Sequence, residues 1–177
     1  MTVGGLPGTG TTTLSRLLER ELQLPYIYAG QLFREEAARR GMTLAEFNAL
    51  AQREPEVDRE LDERQLDYLK RGGVILEGRL SGWLAHNNGI EACKVWLVAA
   101  EEERIRRLVD RDGGDLQTQS EHTADRVARE HDRYLRYYGA DLSDLSIYDI
   151  VLDSTATPPD ALRDRVLEAL EPLGWRR

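Results

Sequence analysis

The chain has 177 residues, of which 41% are hydrophobic and 32% charged, with a formal net charge of −8. This is the length of one domain and the composition of a globular chain, long enough to bury a core. The acidic balance argues against a general nucleic-acid or membrane-surface binder, the single cysteine, Cys93, leaves no internal disulfide or cysteine metal site, and three scattered histidines speak against a zinc cluster.

The N-terminus runs almost at once into a glycine loop, which leaves no room for a signal peptide. No apolar stretch approaches membrane-spanning length, so a cytoplasmic protein is expected. Thr2-Val3-Gly4 reads as a very short first strand. From Thr12, Leu14, Leu17, Leu18 and Leu22 recur at helical steps. Pro25 to Tyr28 is a short aromatic strand. Gln31 to Arg40 reads as a helix stopped by Gly41. Thr43-Leu-Ala-Glu46 is a capping box opening a helix with Leu44, Phe47 and Leu50 on one face. Pro55 starts another helix that runs through Arg71 to Gly72-Gly73. Residues 30–71 thus form a charged helical insertion between two strands.

Val74 to Glu77, Lys94 to Val98 and Ile150 to Asp153 read as buried strands. Helices follow at Glu101–Arg111, Thr123–Tyr137 and Pro159–Leu170, with a polar loop from Asp112 to His122. Five strands alternating with helices imply an α/β fold with a parallel sheet covered on both faces.

The chemistry starts at Gly5-Leu6-Pro7-Gly8-Thr9-Gly10-Thr11-Thr12-Thr13. The spacing is that of the phosphate-binding loop G-x-x-x-x-G-K-[ST], with Thr11 where the lysine belongs. Glycines let the backbone curl its N–H groups around a phosphate, and the following helix adds a favourable dipole. Thr12 is placed to hold Mg²⁺ through its hydroxyl. Glu77 ends an apolar strand at the sheet top, where α/β ligands bind, and is placed to hold Mg²⁺ through a water.

Without the lysine, other cations must neutralise the phosphates. Only Lys70 and Lys94 are lysines among 24 basic residues; the other 22 are arginines. Arg34 lies one turn into the helix after Ala29-Gly30, and Arg79 directly follows Glu77-Gly78. Arg107 and Arg111 share one helix face. Arg126, Glu130 and Arg133 share another, beyond the glycine loop. Two arginine-bearing faces flanking a loop suit a lid that closes charge over phosphates. A solvated helix surface explains any one of these arginines equally well. Trp83 and Trp96 read as core or pocket wall, and His86, His122 and His131 as surface or lid.

Several stretches carry a resemblance: GLPGTGTTT at 5–13, AGQLFREEAARRGMTLAEFN at 29–48, VILEGRLSGW at 74–83, the lid-flanking arginines and LSIYDIVLDST at 145–155. Over about Gly4 to Leu170 the chain resembles the archaeal-type cytidylate kinases, which are nucleoside monophosphate kinases related to adenylate kinase. The resemblance implies a P-loop NTPase three-layer sandwich with a five-stranded parallel sheet. It implies one domain, with a core of 1–29, 72–111 and 138–177, a helical NMP-binding insertion at 30–71 and a lid at 112–137. It further implies transfer of the γ-phosphoryl of ATP to CMP or dCMP with Mg²⁺, by a monomer. By the same resemblance, residues 5–13 wrap the ATP phosphates. Gly30, Arg34, Arg79, Arg126, Glu130 and Arg133 hold the acceptor, with Arg79, Arg107, Arg111 and Arg126 as catalytic cations. The acid at 77 is glutamate where adenylate kinases have aspartate. From the residues alone the acceptor base stays open between CMP, AMP, UMP and a small hydroxyl substrate. A nucleotide sensor that lost catalysis with its lysine also stays open.

Overall fold

The computed structural model describes residues 1–173. Strands β1 (Thr2–Gly5), β2 (Tyr26–Tyr28), β3 (Ile75–Glu77), β4 (Lys94–Val98) and β5 (Ile150–Asp153) form one sheet in the order β2-β3-β1-β4-β5. All pairings are parallel, with Val3 facing Glu77 on one side of β1 and Val95 on the other. Parallel neighbours need crossovers. These come from α1 (Thr11–Leu22), α2 (Ala29–Arg39), α3 (Leu44–Arg53), α4 (Pro55–Arg71), α5 (Ser81–Asn87), α6 (Glu101–Asp112), α7 (Leu116–Tyr138) and α8 (Pro159–Leu170). The chain leaves central β1 for one edge of the sheet and later builds the other edge. The crevice this opens at the C-terminal end of β1 is the position where α/β sheets bind ligands.

Two cores cover the two sheet faces. On one, Leu14 and Leu18 of α1 and Leu162, Val166 and Leu170 of α8 close over Val3, Ile75, Val95 and Leu97. The i, i+4 spacing of each set makes a single apolar stripe. Truncating fully buried Leu18 to alanine is expected to cost about 2–5 kcal/mol. On the other face, Trp83 and Leu84 of α5 and Leu69 of α4 pack with Leu76, Trp96, Ile147 and Tyr148. A third, smaller core belongs to α2–α4 and gathers Leu32, Ala37, Phe47, Ala51, Val57 and Leu61. The segment between β2 and β3 therefore carries its own apolar centre. Thr43 and Glu46 form the expected reciprocal cap on α3.

Four local expectations need correction. The expected loop from Asp112 to His122 is nearly all helix; only residues 113–115 lie between α6 and α7. Asp115 caps α7 by accepting from the Thr118 N–H at 2.9 Å. Apart from exposed Leu116, residues 116–122 are polar, so apolar periodicity gave no signal there. Helix α5 was not expected, and its residues Ser81–Ala85 are all buried, which erases the contrast between faces. Leu44 is 45% exposed rather than sharing the buried face of Phe47. Strand β5 lies at the sheet edge, with Val151 exposed, rather than buried on both faces. Both Trp83 and Trp96 are core residues, while His86 and His122 are exposed. No helix among the described residues is long and apolar enough to cross a membrane.

Candidate active site

Residues 5–13 run from the end of β1 into α1 as one tight curl. The loop is knit internally: Thr9 donates its N–H and its hydroxyl to the Leu6 carbonyl, at 3.2 and 2.8 Å. Gly10 takes a left-handed conformation, φ 89°, at the mouth of α1. Gly8 has φ 85°, and a Cβ there would stand 2.5 Å from the Arg104 carbonyl oxygen. Only glycine allows α6 to press this closely against the outside of the loop.

Helix α6 grips the loop from behind. The Arg104 guanidinium donates to the Pro7 carbonyl at 3.2 Å. Arg107 donates to the Gly8 carbonyl at 3.3 Å, to the Ser154 and Thr155 carbonyls at 2.7 and 3.2 Å, and to Glu103 at 2.8 Å. Ser154, which is buried, donates its hydroxyl to the Thr9 carbonyl at 2.8 Å. Carbonyls of the loop are thus tied outward to arginine and serine donors. Of the curl's own N–H groups, that of Thr9 is spent on the Leu6 carbonyl; a glycine-rich curl of this kind can turn its other N–H groups toward an anion. Arg106, and then Arg107, hold the Glu103 carboxyl down at about 2, so it stays ionised as the brace of these side chains.

Glu77, at the end of β3, collects three hydroxyls. Thr11 and Thr12 donate to its Oε1 at 2.7 and 2.8 Å, and Tyr26 donates to Oε2. Burial, followed by the Glu77 carboxylate, raises the pKa of the Tyr26 hydroxyl, so it remains a donor. The Arg16 guanidinium lies 4.3 Å above the Tyr26 ring. The residue in the lysine position therefore ties the loop to the neighbouring strand. Thr12 Oγ1 and a nearly buried carboxylate at 2.8 Å are hard oxygen donors on the loop's rim, a set that fits Mg²⁺. Among the described residues no group of three or more His, Cys, Asp or Glu forms a metal cage. An ion here would arrive with the nucleotide's own phosphates.

Further along the sheet rim, Arg79 meets Glu130 of α7. Its Nη2 donates to Oε1 at 2.8 Å and its Nε stands 2.7 Å from Oε2. Arg126 donates to the same carboxylate at 3.1 Å. Arg133 lies 5.2 Å from the centre of the Tyr134 ring. The Tyr134 hydroxyl is raised by burial and feels Glu130, Arg79 and Arg133 together. Glu130 thus draws Arg79 and Arg126 together at the rim.

The remaining expected residues sit apart from that cluster. Arg34 is exposed, with its guanidinium 5.2 Å from the Tyr28 ring centre. Gly30 backs onto the same ring, and a Cβ there would meet Tyr28 Cζ at 2.6 Å. Arg111 makes a two-point pair with Asp112 at 2.7 and 2.6 Å and is largely exposed. That bond lowers the Asp112 carboxyl, and the field of Arg126 adds to the effect. Sequence reasoning missed Arg104, Ser154 and Tyr26, which act through backbone carbonyls or across strands and leave no spacing signal.

The AAA domain family matches residues 1–129. The cytidylate kinase of Pyrococcus furiosus is 41% identical over 177 residues, covering 98% of this chain and 91% of that one. The cytidylate kinase of Methanocaldococcus jannaschii is 39% identical over 174 residues, covering 98% of each. Among solved structures, shikimate kinase from Bacteroides thetaiotaomicron superposes with a TM-score of 0.61 at 16% identity, covering 98% of this chain and 96% of that one. An uncharacterized protein from Eubacterium ventriosum gives 0.71 at 15%, covering 96% of each chain. At those identities the superpositions speak for an α/β kinase fold, and the two archaeal relatives speak for more. The chain belongs to the cytidylate kinase family.

Proposed function

We propose that this protein transfers the γ-phosphoryl group of ATP to CMP or dCMP, giving ADP and CDP or dCDP. The observation that carries the reading is that the curl of residues 5–13 and the Arg79–Glu130–Arg126 cluster stand on one sheet rim, which suits a donor and an acceptor phosphate. A sensor of one nucleotide has no use for the second site.

In this reading Gly5 to Thr13 cradle the donor phosphates with backbone N–H groups, while Arg104, Arg107 and Ser154 keep the curl in shape. Thr12 would hold Mg²⁺ with its hydroxyl and Glu77 would hold it through a water, and the ion would supply charge neutralisation for the donor phosphates. Arg79, Arg126 and Arg133 receive the acceptor's phosphate, with Glu130 orienting two of them, and Gly30 and Arg34 approach from α2. Arg111, at the end of α6, turns from Asp112 toward the transferring phosphoryl group when the lid at 112–137 closes. No strong general base is required, because the acceptor is a phosphate oxygen that already carries charge at neutral pH. Alignment and charge neutralisation do the catalysis. Closure of α2–α4 and of the lid excludes water, which would otherwise take the phosphoryl group.

The test is ADP formation from Mg-ATP with CMP, dCMP, UMP and AMP offered in turn. CMP or dCMP is expected to be the best acceptor. Faster turnover on AMP would keep the kinase and discard the acceptor, and no stimulation by any monophosphate would discard the kinase.

A further inference from the structure

Two polar side chains of α4 are buried where the site needs neither a phosphate contact nor a metal ligand. Asp62 is 9% exposed and Gln65 is 7% exposed. They lie one helical turn apart, and Gln65 Nε2 donates to Asp62 Oδ1 at 3.0 Å. Tyr138, at the end of α7, donates its hydroxyl to Asp62 Oδ2. The Gln65–Asp62 contact orients the Gln65 amide, whose NH₂ end donates to Asp62. The carbonyl end is then turned away. Gln65 Oε1 faces Gly78, where an ideal Cβ would stand 3.6 Å from it. It accepts no hydrogen bond among the described residues. Gly78 lies between Glu77 and Arg79, so this oriented acceptor borders the rim on which the acceptor cluster stands.

Resting on the cytidylate kinase reading, we propose that Gln65 reads the acceptor base, with Asp62 as the residue that positions it. Cytosine presents an exocyclic amino donor beside a ring-nitrogen acceptor. Uracil presents a carbonyl oxygen beside an N–H, the reverse pattern. Gln65 Oε1 accepts from the amino group, and the amide's second N–H donates to the ring nitrogen. Against uracil both contacts are reversed, and two oxygens face each other. Asp62 prevents the amide from turning over to suit uracil, and Tyr138 in turn holds Asp62. The same edge occurs on adenine, so Gln65 separates amino from carbonyl bases.

The experiment compares kcat/KM on CMP, dCMP and UMP for the wild type, Gln65→Met and Asp62→Asn, with thermal midpoints and the KM for ATP recorded in parallel. Gln65→Met keeps the side-chain length and removes both amide functions. It is expected to lower the CMP-to-UMP ratio about tenfold or more, mainly through the KM for CMP. Asp62→Asn frees the amide to turn and is expected to lower the same ratio by relieving the block on UMP. The CMP-to-dCMP ratio stays put in both, since neither residue touches the sugar. Should Gln65→Met fail to fold, Gln65→Asn withdraws the amide by one methylene and is read by the same ratio. A folded variant whose CMP-to-UMP ratio stays within about twofold of wild type overturns the proposal while leaving the kinase reading intact. A wild type that phosphorylates none of the three overturns both.

Discussion

Arg79 and Glu130 are 51 residues apart in the chain and meet as a two-point pair at 2.8 and 2.7 Å, joining the end of β3 to the middle of α7. Both are mostly buried, and Arg126 leans on the same carboxylate. In the proposed function the pair prepares Arg79 for the acceptor's phosphate. It also couples the lid helix to the sheet rim.

Arg79→Ala is therefore expected to lower kcat/KM for CMP by about 10²–10³-fold, the scale of losing one preorganised charge donor. The KM for ATP should hold. Arg79→Lys should restore only a fraction, because an ammonium lacks the planar fork that engages Glu130 at two points. Steady-state kinetics with each substrate varied in turn is the check, and normal turnover by Arg79→Ala would remove the acceptor phosphate from this cluster.

Arg107 is assigned to the loop's outer side by its bonds to Gly8, Ser154 and Thr155. Arg107→Ala leaves those partly buried carbonyls without its donors and is expected to destabilise the fold by roughly 1–3 kcal/mol. It should also raise the KM for ATP more than the KM for CMP. Denaturant melts and the two KM values test this. A loss confined to kcat, with an unchanged melt, would instead place Arg107 on the transferring phosphoryl group.

At position 11 the hydroxyl-to-Glu77 bond is one of three that hold that carboxylate. Losing one such bond is worth on the order of 1 kcal/mol. Thr11→Val and Thr11→Lys should each keep kcat within about tenfold of wild type, whereas Arg111→Ala should fall well below that range. A gain of several orders of magnitude in Thr11→Lys would show that the missing lysine had crippled the loop.

Glu36 braces the outer side of α2–α4, with Arg39 and Arg40 bonded to it at 2.5–2.8 Å. Arg39, then Arg40, lower its pKa to about 2. Because the folded value is depressed below the unfolded value of about 4.3, its contribution is fully present above that pH. It is lost as pH falls toward about 2. Glu36→Gln should be less stable than wild type at pH 7, and the gap should close through that acid window. Melting curves from pH 7 to pH 2 measure it; a gap that is constant with pH would mean the ion pairs contribute nothing.

Much of the sheet was legible because local signals agreed. Lys94–Val98 and Ile150–Asp153 are apolar runs with clean boundaries, and Thr43 and Glu46 cap α3 as their spacing predicts. The loop at 5–13 was legible because strand, glycines and helix follow in order. What stayed hidden was tertiary. Arg107 read as a cation for the ATP side, and its bonds to carbonyls 47 and 99 residues away are reported by no local spacing. Tyr26 read as strand filler until β2 came to lie beside β3 and set its hydroxyl on Glu77. Gln65 and Asp62 read as part of a charged helix face, because burial of a polar residue has no signature in periodicity.

The central claim, phosphoryl transfer from ATP to a cytidine monophosphate, is tested most directly by following products rather than ADP alone. Purified protein with equimolar Mg-ATP and CMP can be monitored by phosphorus NMR. The account predicts that CDP and ADP appear one for one, with little inorganic phosphate, and that CDP and ADP run back to ATP and CMP when supplied together. ADP accompanied by inorganic phosphate, with CMP left unchanged, would contradict it.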